Sequence, residues 1–228
     1  ALFNNVILSK ISNLNLDLDM LGQGNAILTN AADSSELDNV KIIQGKIENT
    51  SNSSNSYVGG LIGKYYSTFY GDINFGDIEI NRLQIHASQC SNVGGFIGNI
   101  ESSKEVNFSN ITEYDVDVYG SQNVGGLVGS VSSTNVKNIN SSGKILLNLN
   151  TVSGKSYVGG VFGNDCFSAQ SIEANVQNVL SEGSSNNAFV GGYIGYLAHS
   201  ASTIGERIVV SVGTVSGTDV VGGFAGYI

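Results

Sequence analysis

A chain of 228 residues with a net charge of −9 and only ten Lys plus Arg has no basic stripe to neutralise phosphates, which argues against nucleic acid and anionic membrane surfaces as partners. Its 41% hydrophobic content and mean hydropathy near zero are enough for a core and too much for a disordered chain, while no apolar run approaches the roughly 20 residues of a spanning helix. Thirty glycines, no proline, no tryptophan and 13% charged residues point to short strands and tight turns, because glycine destabilises helix interiors and supplies the positive φ of turns.

The opening ALFNNVILSK has neither an initiating Met nor the charged-then-apolar order of a signal peptide, and reads as an internal piece of something longer. Residues 1–54 carry only a degenerate trace of a glycine motif, at Leu21-Gly22-Gln23-Gly24, and are expected to form a degenerate first coil or coils. From residue 55 the motif is complete. It reads Val58-Gly59-Gly60-Leu61-Ile62-Gly63, then Val93-Gly94-Gly95-Phe96-Ile97-Gly98, then Val124-Gly125-Gly126-Leu127-Val128-Gly129. Three more copies stand at Val158-Gly159-Gly160-Val161-Phe162-Gly163, Val190-Gly191-Gly192-Tyr193-Ile194-Gly195 and Val221-Gly222-Gly223-Phe224-Ala225-Gly226. Their first glycines are 35, 31, 34, 32 and 31 residues apart, a period that marks a repeat architecture. One array over 1–228 with no domain boundary is the expectation.

Within a repeat, the stretch after Gly129 offers a polar turn at Ser132, Ser133 and Thr134, a strand-like run Asn135-Val136-Lys137-Asn138-Ile139, a turn at Ser141-Ser142-Gly143 and the alternation Ile145, Leu147, Leu149. NFSNI at 107–111 and NVQNV at 175–179 match the second run; Leu83, Ile85, Ala87 and Tyr114, Val116, Val118 match the third. Three strand-like runs per repeat predict an all-β chain: a parallel β-solenoid (β-helix) of about six coils with three short strands per coil, each coil burying its apolar face against its neighbours. Identical positions then stack, so a conformation that only glycine tolerates recurs as glycine.

At these residues the chain resembles the GLUG-motif repeat family, whose hallmark is Gly-Leu-hydrophobic-Gly preceded by Tyr or Asn, Val and Gly. Here it stands as Tyr57-Val58-Gly59-Gly60-Leu61-Ile62-Gly63 and Asn123-Val124-Gly125-Gly126-Leu127-Val128-Gly129, and the likeness covers roughly 55–228. Phe, Val or Tyr replaces Leu at 96, 161, 193 and 224. The resemblance implies a β-solenoid and an extracellular or cell-surface setting, as in bacterial adhesins and the non-catalytic regions of immunoglobulin A-cleaving metallopeptidases. It implies no substrate.

Stacking carries several finer expectations. Asn110, Asn138 and Asn178 stand at matching places in their runs, either as an axial amide ladder or simply as turn formers. Asn49, Asn52, Asn107, Asn110 and Asn140 open Asn-x-Ser/Thr acceptors, which permit N-glycosylation. Strict alternation through the motif would turn Leu61, Phe96, Leu127, Val161, Tyr193 and Phe224 outward as an apolar strip for a partner or a second solenoid; a bend at the glycines would turn them inward, the favoured reading because six exposed apolar side chains are costly. The chain ends two residues after its last motif, at Tyr227-Ile228, so self-association through an open end is expected.

Chemistry is sparse. Gly59 to Gly63-Lys64 is one residue too short for a phosphate loop, and Tyr65 stands where Ser or Thr should hold magnesium. The chain has two histidines, His86 and His199, and lacks HExxH, CxxC and G-x-S-x-G, so no metal, cofactor or nucleophile set is written in it. Cys90 and Cys166 are expected to be free thiols, their repeats lying too far apart along the stack to bridge. The best remaining cluster is Glu113-Tyr114-Asp115-Val116-Asp117, where alternation would put three carboxylates on one face, with Arg82 nearby and His86 stacked on Asp117. A non-catalytic structural or adhesive segment is the expectation, with protein or glycan partners; an accessory region of a secreted peptidase or a carbohydrate-active β-helix is the alternative.

Overall fold

The computed structural model describes residues 1–23, 25–51, 56–67, 73–102, 106–132, 139–183, 188–198 and 205–228. Among them every regular element is a strand and every strand pairing is parallel. Seven long strands, from Lys10–Gln23 to Gly205–Ser216, form one sheet; eight short ones, from Phe3–Ile7 to Ala225–Tyr227, form a second; six from Val58–Gly59 to Val220–Gly222 form a third. Strands follow chain order within each sheet, so every turn of the chain adds one strand to the stack and the fold is a parallel β-solenoid.

The coil is divided differently from the sequence-based expectation. The motif is cut in two, Ser91–Gly94 and Ile97–Ser102 for example, while the Asn run and the alternation fuse into the single strand Val106–Tyr119. Left-handed residues explain the fusion. In Val106–Tyr119 the inward side chains are Val106 and Phe108, then Ile111 and Glu113, then Val116 and Val118. Each change of parity is made by a residue in the left-handed region, Asn110 (φ 53°) and Asp115 (φ 58°), which lets the backbone turn a corner without ending the ladder. Asn13, Asn39, Asp77 and Asn110 stack at one such corner with φ between 52° and 56°, residue types that tolerate this region.

The motif bends inward. Leu61, Phe96, Leu127, Val161 and Tyr193 are fully buried, so the outer apolar strip does not form. Phe224 alone is 39% exposed, and it too lies over the core, stacked on Tyr193 at 4.8 Å in the last described coil. Val220 and Val221 in the same coil are exposed as well. Inside, Phe75, Phe108 and Phe167 stack face to face at 5.1 and 4.9 Å, and Phe96 meets Phe108 edge-on.

The glycines serve a different purpose from the one expected. None of the motif glycines has a φ in the left-handed range, and at all of them except Gly223 what excludes a side chain is neighbouring backbone. A Cβ at Gly125 would overlap the Val128 carbonyl oxygen of its own bend and lie 2.7 Å from the amide nitrogen of Gly163 and 2.8 Å from the carbonyl oxygen of Val161 in the next coil, and one at Gly126 would overlap the carbonyl of Gly160, also in the next coil. A coil-to-coil approach this close admits no methyl group. Nor is Leu21 to Gly24 the vestigial motif. Leu21–Gln23 continue the long strand, Gly24 lies outside the described residues, and Ala26-Ile27-Leu28 occupy the bend, with Ile27 N–H donating to the Gly60 carbonyl and Leu28 N–H to the Leu61 carbonyl.

A Gly126→Ala substitution is therefore expected to destabilise the chain by about 3 kcal/mol or more, because rigid backbone must move. Gly223→Ala, whose methyl would meet nothing within 4 Å in the 228-residue chain, should stay within about 0.5 kcal/mol of the parent. Denaturant midpoints of the two variants check the contrast, and equal losses would refute the contact argument.

Candidate functional site

The acidic run does not assemble as alternation predicts. The corner at Asp115 reverses parity, so Glu113 points into the core while Asp115 and Asp117 face out. Glu113 stands in a column of otherwise apolar side chains, Ile42, Ile80, Leu147, Ala174 and Val210. It is fully buried, and neither carboxylate oxygen has a hydrogen-bond partner among the described residues. Space for it comes from Gly95, where a Cβ would sit 2.7 Å from Oε2. Burial pushes its carboxyl well above the usual range, which favours the neutral form, the one cheaper to bury.

His86 does not stack on Asp117. Its axial neighbour is Tyr119, with the rings 5.0 Å apart, and Asp117 pairs with Gln84. Counting back from the glycine motif misleads because the connection Ala87–Cys90 is longer than its counterpart after Tyr119, a difference that moves the register by two residues. Arg82, left-handed at φ 46°, occupies the corner beneath Asp115 and donates through Nε to the Ile43 carbonyl at 3.3 Å. His199 lies outside the described residues.

The expected asparagine ladder has other members. Asn110 Nδ2 donates to Asp77 Oδ1 at 3.0 Å, whereas Asn178 pairs with Thr151 and Thr214 in a different column; Asn138 lies outside the described residues. NVQNV at 175–179 aligns with Asn148–Val152, not with NFSNI, because the fourth copy shortens the connection before its long strand and lengthens the one after it. Axial amide bonds do form, from Asn39 to Asn13 and from Asn123 to Asn92 at 2.7 Å, and from Asn49 to Asn25 at 2.8 Å. Of the glycosylation acceptors, Asn49, Asn107 and Asn110 use Nδ2, the atom a glycan would take, as a donor in these bonds; Asn107 reaches Asn74 and Ser142. Asn140 lies on the strand Ile139–Gly154, and Asn52 is outside the described residues. Both cysteines are free and buried, and burial pushes the Cys166 thiol up to about 12, with Asp165 adding to the rise.

A concave surface emerges where sequence patterning gives no warning. Between Val106–Tyr119 and Ile139–Gly154 the pairing shifts register on either side of Val116, and the pair of adjacent outward residues moves from Tyr114-Asp115 to Asn150-Thr151. At this step opens a groove of about 670 Å³, lined by Tyr114, Asp115, Asn148, Asn150, Asn175 and Gln177, with Ser211 and Gly213 at its far end. Tyr114 pairs with Asn148, and Asn148 with Asn175, so the lining runs along the solenoid axis from coil to coil. Asn150 Nδ2 donates to Asp115 Oδ1 at 2.7 Å and to Asp117 Oδ2 at 3.3 Å, and Gln177 Nε2 donates to Asn150 Oδ1 at 3.5 Å. The only sequence signal is the outward amides Asn148-x-Asn150 and Asn175-x-Gln177, obscured when the second pair is placed in the wrong run. Chemically the groove offers amides that donate and accept, one carboxylate and one phenol ring; no metal-holding group of His, Cys, Asp and Glu exists among the described residues.

Comparison with family models, with curated proteins and with solved structures finds no match to this chain.

Glu113 makes a pH prediction. Its folded pKa lies above the unfolded value of about 4.3, so the folded chain keeps a proton that the unfolded chain has released. The contribution of Glu113 to stability is then fullest below about pH 4.3 and falls as pH rises toward the folded pKa, by up to about 1.4 kcal/mol per pH unit. Glu113→Gln should lose this falling component while keeping the fold. Urea unfolding of both proteins across pH is the measurement, and equal slopes would mean that Glu113 is solvated.

Proposed function

We propose that this chain is a non-catalytic β-solenoid segment of a large secreted or cell-surface protein, a stiff spacer whose faces serve as interaction surfaces. The observation that supports it best is the continuity of the stack, in which three parallel sheets share one core. Such a body resists bending, and its repeating surface presents the same positions at each coil spacing of roughly 4.8 Å. The dispersal of the acidic run, with Glu113 in the core and Asp115 and Asp117 tied to one amide, favours binding over catalysis. The resemblance of the motif to GLUG repeats supports the extracellular setting and leaves room for an accessory role beside a peptidase. In this reading the partners are other proteins, further copies meeting at coil edges, or glycans.

The setting is tested on cells that produce the protein. Antibodies raised against this chain should label intact cells or recover it from the medium, and mild protease shaving should remove the label. Labelling that appears only after permeabilisation would overturn the reading.

A further inference from the structure

The groove beside Tyr114 lies outside the core, at the step where the corner at Asp115 gives way to the one at Asn150-Thr151 in the next coil. The geometry points to a binding site for a neutral oligosaccharide, laid along the solenoid axis with one sugar face on the Tyr114 ring and its hydroxyls on the amides of Asn148, Asn150, Asn175 and Gln177. This rests on the reading of the solenoid as an extracellular interaction surface.

Four observations carry it. First, Tyr114 is 58% exposed and takes part in no ring pair among the described residues, whereas Tyr157, Phe189, Tyr196 and Tyr227 stack on one another and cover each other's faces. An uncovered ring face beside polar groups suits the apolar face of a sugar. Second, the lining is amide-rich, and each amide both donates and accepts, as each sugar hydroxyl does. Third, the strands that carry Tyr114, Asn148 and Asn175 are paired on both sides, so along this part of the floor an extended peptide has no edge to join as a further strand; the one edge strand, Gly205–Ser216, carries only Ser211 and Gly213 at the far end. Fourth, the one carboxylate facing the groove, Asp115, already accepts from Asn150, and the chain is acidic overall, which disfavours polyanions. The amides Asn148 and Asn175 stand one coil apart, as do Asn150 and Gln177, so two successive units of a polymer meet a like donor pair on two adjacent coils, roughly 4.8 Å apart.

The test titrates the 228-residue chain with hexasaccharides of cellulose, xylan, mannan, starch and chitin, and with oligogalacturonate as the anionic comparison, followed by NMR. At least one neutral sugar is expected to bind at millimolar concentration or below and to shift the Tyr114 ring signals. Tyr114→Ala should weaken that binding roughly tenfold or more, and Tyr114→Phe should keep it within about threefold, with unchanged unfolding midpoints. Binding of none of the sugars, binding of the anionic one alone, or binding indifferent to Tyr114→Ala would each overturn the site. If cell-surface labelling succeeds while no sugar binds, the groove assignment fails and the extracellular reading stands; labelling only after permeabilisation fails the latter by itself.

Discussion

Close contact between backbones at the glycine bend is the constraint on which the rest of this solenoid depends. At that bend each coil lays its peptide groups against those of the next with no side chain between, and the carbonyl of one second glycine accepts from the amide of the second glycine before it, as Gly126 does from Gly95. A methyl group there would hold two coils apart and open every ladder on either side. Because that corner is fixed, the valine before it and the apolar residues after it are driven inward from both directions, where they meet the inward side chains of the long strands, such as Leu83, Val116 and Leu149, in one core. Elsewhere the coil is free to vary, and it does.

The architecture is legible in the chain because a period near 33 residues with an invariant glycine pattern admits few other folds. The internal register is not. Two coils of nearly equal length can distribute their residues differently, and the fourth copy does so, which hides the pairing of NVQNV with the residues around Asn148. Parity is also opaque where it matters most. A residue at positive φ turns two successive side chains outward, and nothing in the letters of Glu113-Tyr114-Asp115 says that the turn falls at Asp115. Alternation alone therefore makes Glu113 a surface carboxylate, whereas it is the most deeply placed charge-bearing side chain of its strand.

Asparagine links these two levels. It is placed at corners because its side chain tolerates left-handed backbone, and once there it is stacked on another asparagine or aspartate in the same situation, one coil away. The axial bonds from Asn39 to Asn13, from Asn110 to Asp77 and from Asn123 to Asn92 are thus a by-product of corner geometry, and they fall where corners fall rather than where Asn-x-x-Asn repeats in the chain. The groove has a related origin. It opens where two adjacent coils turn their corners at different residues, a defect in the periodicity that leaves one tyrosine standing clear of its neighbours.

Glu113 has a mechanical meaning as well. In a parallel stack the hydrogen bonds between coils run along the axis, so a pull on the two ends loads the interfaces in series and each bears the full force. The tensile strength of such a body is that of its weakest layer, not the sum over layers. Among the described residues, the layer around Val106–Tyr119 is the one that holds a carboxyl without a hydrogen-bond partner in its core, and it lies near the middle of the chain. Ionising that carboxyl would turn a uniform rod into two rods joined by a seam that yields first.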